Sequence, residues 1–446
     1  MKTRTSNRSN FHSEFRQQKK KGFSVFECCL GVLTLIPLVL LIVALTHTGG
    51  NRTAEQPADK PIHPPPPRPK NSNPTPPGNA PKSAQENAIP LYSADINGTE
   101  AWDRKKKLIG SEPMSGRWLN NCPAVPPPNY PEQFPIMDLI DNWNPDQAEA
   151  PAKHYHALCR FDYATDLEKA FAYREAELPF IVYNTPEAED VVQKWNQPDY
   201  LEKFLGTERY RTEVSHNNHF MYFSGSSPRG KGNKAWRPPT SIEKMSFKKF
   251  KDTAVKCDMQ NCSEDEQHFY FRVTAASSNH FIFKELPFFM PKKSIFIKDP
   301  KGQRGIHCRF GMREVIAENH YDGSRNVIGL FGGRRRYILS HPKECANMYL
   351  LPMGHPSGRH SGDACNYNPD CKDSANSVDY SKPDLEKFPK FRNLLANEVI
   401  LTAGDFLYLP THWFHYIISM GLNYQCNTRS GRSNEYSKFV KKCGFK

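Results

Sequence analysis

The stretch Ala317–Arg336, AENHYDGSRNVIGLFGGRRR, decides the fold of this 446-residue chain. It places His320 and Asp322 two positions apart on a predicted strand, ahead of a Gly-Gly turn at 332–333. Residues two apart on a strand point to the same face, so one imidazole and one carboxylate converge there. The pair predicts two ligands of a metal ion, and the third ligand must come from elsewhere in the chain.

The segment Gly404–His415, GDFLYLPTHWFH, supplies the candidates for that third ligand. It predicts a turn, a strand, a proline break and a second strand. His415 stands among aromatic and apolar residues, where an ordinary core histidine is the alternative explanation, and His412 beside the proline is the competing ligand. Two histidines and one carboxylate on neighbouring strands are typical of non-haem Fe(II) sites, which keep coordination positions open.

Composition divides the chain into four parts. Residues 1–22 form a basic cytosolic tail. Residues 23–47 hold an uncharged run of Leu, Ile and Val that is long enough to cross a bilayer, which predicts a transmembrane signal anchor, with a cleaved signal peptide as the alternative. Lysines before the anchor predict a type II membrane protein. Residues 48–115 predict a proline-rich disordered stem, and residues 116–446 one lumenal domain.

Cysteine usage agrees with a domain in the ER or Golgi lumen or outside the cell. Ten cysteines follow the predicted anchor, and an even number suits disulfides in an oxidising compartment, although ten free buried cysteines are the alternative. Two close pairs predict local bridges, Cys257–Cys262 and Cys365–Cys371. Glycosylation sequons at Asn97 and Asn261 favour the same compartment.

The net charge of +13 does not indicate a nucleic-acid partner. Residues 1–22 alone carry seven Lys and Arg against one acid, and residues 116–446 keep a mild excess of +6 without a long basic run. A nucleic-acid-binding domain usually concentrates its basic residues on one face or along one helix. We therefore expect no nucleic-acid partner.

The order of predicted elements indicates mostly strands in the second half of the chain. Helices are predicted at 185–195 and 199–205, and after Arg313 seven short apolar segments follow at close spacing, which predicts an antiparallel sandwich or barrel. A long irregular insertion at 340–393 separates them and predicts a lid or substrate loop.

The three arginines after the Gly-Gly turn differ in their predicted directions. Alternation along the strand directs Arg335 inward, where we expect it to bind an anionic ligand. The same alternation leaves Arg334 and Arg336 in solvent.

Several motifs in fixed order resemble the JmjC-type cupins, in particular the asparaginyl hydroxylase that inhibits hypoxia-inducible factor. They are HYD at 320–322, the asparagine at 326, GRRRYIL at 333–339, GDFLYLPTHWFH at 404–415 and NYQCN at 423–427. The resemblance extends over roughly residues 170–430. It implies a mainly β fold with α-helices: a double-stranded β-helix, the jelly roll of cupins, flanked by helices. The single transmembrane helix predicted from the apolar run would precede this fold.

Carried over by position, the resemblance assigns roles to seven residues. The implied Fe(II) ligands are His320, Asp322 and His415. The implied binding residues of the co-substrate 2-oxoglutarate are Tyr270, Asn326, Arg335 and Asn427. Two positions depart from the family: Arg335 replaces a lysine that pairs with the distal carboxylate of 2-oxoglutarate, and Ala317 replaces a threonine whose hydroxyl contacts the same carboxylate. These departures predict a retuned co-substrate pocket.

The implied activity is that of an Fe(II)- and 2-oxoglutarate-dependent dioxygenase. It would use O2 to hydroxylate a side chain of a protein or glycoprotein in the secretory pathway. A non-catalytic cupin-like binding protein is the alternative that Ala317 and Arg335 keep open. A lumenal glycosyltransferase, suggested by anchor and stem, is the weaker alternative because the sequence has no Asp-x-Asp motif and no Gly-rich nucleotide turn.

Overall fold

The computed structural model describes residues 121–141, 158–228, 231, 236–260, 262–263, 266–362 and 378–445. All of them belong to one compact unit of the chain. The predicted tail, anchor and stem lie outside these residues, as do both sequons and the Cys365–Cys371 pair. Within the described part, no helix combines the length and the apolar character that crossing a bilayer requires.

Seven short α-helices lie among the described residues. They are α1 (Ile136–Asp141), α2 (Leu167–Glu175), α3 (Pro186–Trp195), α4 (Tyr200–Leu205), α5 (Phe247–Gln260), α6 (Phe281–Glu285) and α7 (Ser437–Lys442). The proline that begins α3 has the backbone angle of a first helical residue, and it lacks only an N–H that would have no partner there. The helices predicted at 185–195 and 199–205 are confirmed as α3 and α4.

Fifteen strands of the described residues form two sheets. Their bounds are β1 Phe134–Pro135, β2 Arg160–Asp162, β3 Phe180–Tyr183, β4 Arg209–Ser215, β5 His219–Phe220, β6 Ser241–Ser246, β7 His268–Ala275, β8 Gln303–Gly311, β9 Ile316–Tyr321, β10 Asn326–Gly332, β11 Arg334–Ser340, β12 Leu395–Thr402, β13 Phe406–Leu409, β14 Phe414–Ser419 and β15 Asn423–Ser430. The nine-stranded sheet has the order β2-β3-β13-β10-β15-β8-β7-β4-β6, and the six-stranded sheet has the order β1-β12-β11-β14-β9-β5.

The last eight strands, β8 to β15, form the centre of the fold. Four of them, β8, β10, β13 and β15, are neighbours in the nine-stranded sheet, while β9, β11, β12 and β14 are neighbours in the six-stranded sheet. Since the chain repeatedly crosses between the sheets, the two form a double-stranded β-helix. The predicted mainly β jelly roll with flanking helices is confirmed for the described residues.

The Gly-Gly turn of the deciding stretch joins the two sheets. Gly333 has a left-handed φ of 70°, and a Cβ on it would collide with the carbonyl oxygen of Leu422. Only glycine fits both conditions without strain. The turn therefore passes the chain tightly from β10 in one sheet to β11 in the other.

Arg335 and Arg336 are both buried, so the expectation that Arg336 faces solvent is wrong. Arg336 is 2% exposed, and it donates a hydrogen bond of 2.6 Å to the buried carboxylate of Glu398 and one of 3.0 Å to the carbonyl oxygen of Leu139. The outer face of β11 is covered because Leu139 belongs to α1, which packs against β12. Arg334 is exposed, as predicted.

Four disulfides cross-link the described part of the chain. The predicted Cys257–Cys262 bridge is confirmed. The other three join distant positions: Cys122–Cys159, Cys308–Cys426 and Cys345–Cys443. Cys308 and Cys426 face each other on the paired strands β8 and β15, so this bridge lies within the central sheet.

Candidate metal centre

Three side chains that the sequence separates by up to 95 positions meet between the sheets. His320 is near the end of β9, Asp322 follows that strand directly, and His415 lies opposite His320 on the paired strand β14. One ligand atom from each lies within 4.8 Å of those from the other two. The structure therefore brings together all three residues predicted as metal ligands.

Both imidazoles are oriented by backbone carbonyl groups. Nδ1 of His320 is 2.7 Å from the carbonyl oxygen of Glu318, and Nδ1 of His415 is 3.0 Å from that of Trp413. Because a carbonyl oxygen only accepts, each Nδ1 carries the hydrogen and each Nε2 keeps a lone pair for a metal. Burial lowers the pKa of both histidines below 6.5, so they are neutral at pH 7, as metal ligands must be.

The carboxylate of Asp322 is held at both oxygens. Arg429 places Nη2 2.8 Å from Oδ1, and the side-chain amide of Asn326 donates a 2.8 Å hydrogen bond to Oδ2. Burial by itself would raise the pKa of Asp322, but Arg429 and His415 hold it well below its usual range. Asp322 is therefore an ionised and oriented oxygen donor.

This donor set fits Fe(II). Two neutral imidazoles and one carboxylate leave part of the coordination sphere open, as non-haem Fe(II) oxygenases require, whereas zinc more often takes a third His or Cys. The competing ligand His412 is not part of the group. Its backbone has a left-handed φ of 74°, and its ring packs against Tyr321 with centroids 5.4 Å apart.

Three of the four residues predicted for 2-oxoglutarate line a chamber of about 60 Å³, which the triad lines as well. Tyr270, Asn326 and Asn427 all line it. The amide of Asn427 donates a 2.8 Å hydrogen bond to Oδ1 of Asn326, and Arg309 donates one of 2.8 Å to Oδ1 of Asn427. A chain of hydrogen bonds thus fixes both amides next to the proposed metal ligands.

Arg335, the fourth residue predicted for 2-oxoglutarate, does not line this chamber. It is fully buried, and its guanidinium donates to the Tyr270 hydroxyl at 3.0 Å and to Oε1 of Gln425 at 2.8 Å, besides the carbonyl oxygen of Arg309 and the side chain of Asn423. Tyr270 and Gln425 stand between Arg335 and the cavity, since both line it. The structure places Arg335 behind the chamber wall, and its direct contact with 2-oxoglutarate remains a prediction.

Ala317 lines the chamber, as its predicted role requires. It lies on β9 opposite Ile417 of β14, which also lines the cavity. No hydroxyl comes from this position. The inner chamber is therefore more apolar here than a threonine would make it.

Three arginines of the chamber wall, Arg272, Arg309 and Arg429, were missed in the sequence. On β15, Arg429 lies two positions after Asn427, and on β8, Arg309 lies two positions after His307. Period-two alternation would have placed Arg429 on the face of Asn427. For Arg309 the strand itself was not predicted, although IHCRF at 306–310 alternates apolar and polar residues and could have identified it.

The chamber opens into an outer cleft of about 780 Å³. His320, Asp322 and His360 line both cavities, so two of the three triad residues lie where the cavities meet, while His415 lines the inner chamber alone. His360 comes from the long insertion, and its ring stacks on His320 with centroids 4.9 Å apart. The insertion therefore contributes to the wall next to the candidate metal, while its role as a moving lid remains a prediction.

Comparison with known proteins agrees with this geometry. Residues 167–430, more than half of the chain, match the family described as Cupin-like domain. Lysine-specific demethylase JMJ31 of Arabidopsis thaliana is 27% identical over 131 residues, which are 29% of this chain and 21% of that protein. The tRNA wybutosine-synthesizing protein 5 of Gallus gallus is 32% identical over 100 residues, 22% of this chain and 25% of that protein.

A longer alignment involves Jumonji C domain-containing protein 5 of Drosophila melanogaster. It is 22% identical over 305 residues, which are 68% of this chain and 62% of that protein. The alignments with JMJ31 and with the wybutosine protein span only about a fifth to a quarter of those relatives. The residues that match the family, 167–430, include the jelly roll, and the finer likeness to the asparaginyl hydroxylase remains a prediction.

Proposed function

Because this chain belongs to the cupin-like domain family and is a cupin of the JmjC type, we propose that it is an Fe(II)- and 2-oxoglutarate-dependent oxygenase. Its proposed reaction is hydroxylation of a side chain of a protein or glycoprotein in the secretory pathway. The observation that carries the proposal is the convergence of His320, Asp322 and His415 within 4.8 Å, with both Nε2 atoms left as acceptors.

The metal ion and 2-oxoglutarate, when bound, supply the oxidising chemistry with O2. Three residues would hold the metal: His320, Asp322 and His415. Four chamber residues would hold the co-substrate: Tyr270, Asn326, Asn427 and Arg309. Arg335 positions Tyr270 and Gln425 through hydrogen bonds of 3.0 Å and 2.8 Å, so its part is to shape the wall.

The chain's own contribution is orientation and exclusion of water. Carbonyl groups fix the imidazole rings, and Arg429 with Asn326 fixes the carboxylate. Three apolar side chains line the chamber: Phe220, Ile328 and Ile417. An apolar wall keeps bulk water from a reactive centre and so directs oxidation to the bound substrate.

The disulfides support a secretory compartment. Four bridges occur among the described residues, and such bridges persist in the ER lumen and outside the cell while cytosolic thiols stay reduced. The predicted signal anchor and the two sequons favour the same location. These features support the proposal that the substrate is lumenal or extracellular and that this domain belongs to a type II membrane protein.

A non-catalytic cupin-like binding protein is the second candidate. Two observations favour it: Ala317 supplies no hydroxyl to the chamber, and Arg335 is engaged by protein acceptors behind the wall. Both features would weaken binding of the distal carboxylate of 2-oxoglutarate. Measurement of 2-oxoglutarate turnover separates the two candidates.

The test uses the full chain, purified in mild detergent, with Fe(II), ascorbate and labelled 2-oxoglutarate. We expect Fe(II)-dependent release of succinate, increased by a lysate of secreted proteins and lost in Asp322→Ala. The matched control is Asp252→Ala, which removes an exposed carboxylate paired only with Lys248 on α5 and should leave the release unchanged. Absence of Fe(II)-dependent succinate, with and without the lysate, would favour the binding protein.

A further inference from the structure

The outer cleft carries a concentrated positive charge. Among the described residues that line it, five are arginines and one is a carboxylate, the proposed metal ligand Asp322. The arginines are Arg272, Arg304, Arg309, Arg359 and Arg429. Residues 116–446 together carry a net charge of only +6, so the five arginines of this one cleft are a large positive charge relative to the rest of the domain.

Two of these arginines already have a carboxylate partner. Arg272 pairs with Glu213, and Arg429 pairs with Asp322. Arg309 contacts the neutral amide of Asn427 at 2.8 Å. A fixed, partly desolvated cation with a neutral partner leaves its charge to act on whatever enters the cleft.

The positive charge of the arginines adds to the effect of burial on the pKa values of two neighbouring groups. Burial, reinforced by Arg272, lowers the pKa of Arg309 to about 10. Burial, reinforced by Arg309 and Arg429, lowers the pKa of His307 to about 4, so this histidine is neutral at pH 7 and adds no charge of its own. The arginines are thus mutually repelling, and an anion between them would relieve that repulsion.

Arg304 and Arg359 are the arginines best placed for an incoming ligand. Arg304 is exposed, and neither residue has a carboxylate partner among the described residues. Arg359 lies over the ring of Tyr321, with its guanidinium carbon 5.4 Å from the ring centroid, which holds the cation at the wall of the cleft. A planar guanidinium offers two parallel N–H groups to a carboxylate.

We propose that the cleft binds an acidic peptide segment, whose carboxylates pair with Arg304 and Arg359 while a neighbouring side chain points toward Asp322. This inference rests on the proposed function, because the acidic peptide is a substrate only if the same site is an oxygenase. The binding itself does not depend on turnover.

A peptide fits the cleft better than a nucleic acid does. Tyr222 is 57% exposed and Met353 is 47% exposed, and both line the cleft beside the arginines. Aromatic residues, methionine and arginine are the residues enriched at protein–protein interfaces. The cleft volume of about 780 Å³ lies in the range of pockets that enclose one small ligand, which suits a few peptide side chains rather than a long row of phosphates.

The test measures binding without turnover. The full chain is loaded with Mn(II) in place of Fe(II), without 2-oxoglutarate, and titrated into a labelled peptide that alternates glutamate with asparagine and glycine. The matched peptide carries glutamine at every glutamate position. We expect the acidic peptide to bind at least about tenfold more tightly and its affinity to fall as salt is added, because guanidinium–carboxylate pairs attract through their charges and salt screens that attraction.

The double variant that carries both Arg304→Gln and Arg359→Gln tests whether the cleft causes this preference for the acidic peptide. We expect it to weaken the acidic peptide about tenfold or more while the glutamine peptide is unaffected. The control Arg392→Gln removes an exposed arginine outside the cleft and should change neither affinity. Thermal melting of each variant verifies that it is folded.

Equal binding of the two peptides, or an acidic-peptide affinity that the double variant leaves unchanged, would overturn the proposal. Tighter binding of a sulfated oligosaccharide or of a single-stranded RNA that depends on Arg304 and Arg359 would also overturn it, by assigning the cleft to another class of polyanion. Selective binding of the acidic peptide without any succinate release would support the proposal that the cleft binds an acidic peptide and would contradict the proposed oxygenase activity.

Discussion

Nη2 of Arg429 lies 2.8 Å from Oδ1 of Asp322, so an arginine of the nine-stranded sheet holds the carboxylate proposed as a metal ligand at the end of β9 in the other sheet. The second oxygen of Asp322 accepts from Asn326. The carboxylate is therefore both ionised and fixed in direction before a metal arrives. Asp322 is thus preorganised for metal binding.

Replacement of Arg429 by glutamine should weaken metal binding. Asp322 would lose its charged partner, its pKa would rise, and its oxygens would be less well oriented. Groups that orient metal ligands typically contribute about 10–100-fold to affinity. Titration of Mn(II) followed by electron paramagnetic resonance measures the effect, with Arg392→Gln as the control. An affinity equal to that of the wild type would show that Arg429 does not organise the site.

A threonine at position 317 should tighten the binding of 2-oxoglutarate. The methyl of Ala317 lines the chamber, and a hydroxyl there would offer one more hydrogen bond to a carboxylate. A single hydrogen bond contributes about 0.5–1.5 kcal/mol, or roughly two- to twelvefold in the dissociation constant. The control Ala317→Val has the same shape without the hydroxyl. If valine and threonine change the affinity equally, the distal carboxylate does not lie near this position.

Arg335 should matter for stability more than for contact with the co-substrate. It is fully buried and donates to four protein acceptors, so Arg335→Met would remove four hydrogen bonds. Oε1 of Gln425 would keep the Tyr337 hydroxyl as a donor, whereas each buried acceptor left without a partner costs about 1–3 kcal/mol. We expect a loss of several kcal/mol in the free energy of unfolding, measured by urea titration.

Arg335→Lys separates the two roles. Lysine keeps the charge but offers three donors instead of five, so we expect an intermediate loss of stability and an affinity for 2-oxoglutarate within about twofold of wild type. A large drop in that affinity with stability unchanged would show that Arg335 itself contacts the co-substrate.

The free energy of unfolding should fall as the metal-free protein is acidified. Burial lowers the pKa of His360 to about 4, while an unfolded histidine has a pKa of about 6.5. Between these values the unfolded chain binds a proton that the folded chain does not. The contribution of His360 to stability is therefore complete above about pH 6.5 and decreases by about 1 kcal/mol per pH unit as the pH falls toward 4.

The variant His360→Asn isolates this contribution. It removes the titrating ring, so the plot of unfolding free energy against pH should become less steep. His216 is exposed and serves as the control, since His216→Asn should leave the slope unchanged. Parallel curves for wild type and His360→Asn would contradict the assignment.

Much of the fold was predictable because it rests on local patterns. The seven segments after Arg313 are short, rich in apolar residues and closely spaced, and they form β9 to β15. The ligands His320 and Asp322 followed from their spacing on one strand. Neither prediction needed knowledge of which strands pair.

The missed features depend on tertiary contacts. The strand β8, QRGIHCRFG, was not predicted, although Ile306, Cys308 and Phe310 alternate with His307 and Arg309 as in a half-buried strand. Its pairing with β7 and β15 depends on tertiary contacts. The Cys308–Cys426 bridge spans 118 positions and follows only from the pairing of β8 with β15. Arg336 is buried because α1 lies over the sheet, which its own strand cannot reveal.

The most direct measurement of the central claim is the fate of labelled oxygen gas. The full chain is supplied with Fe(II), 2-oxoglutarate and ¹⁸O2 in the presence of secreted proteins, and mass spectrometry follows succinate and the proteins. We predict one ¹⁸O atom in succinate and one in a hydroxylated protein side chain, both absent with Asp322→Ala. Succinate without ¹⁸O, or no difference between wild type and Asp322→Ala, would contradict the oxygenase.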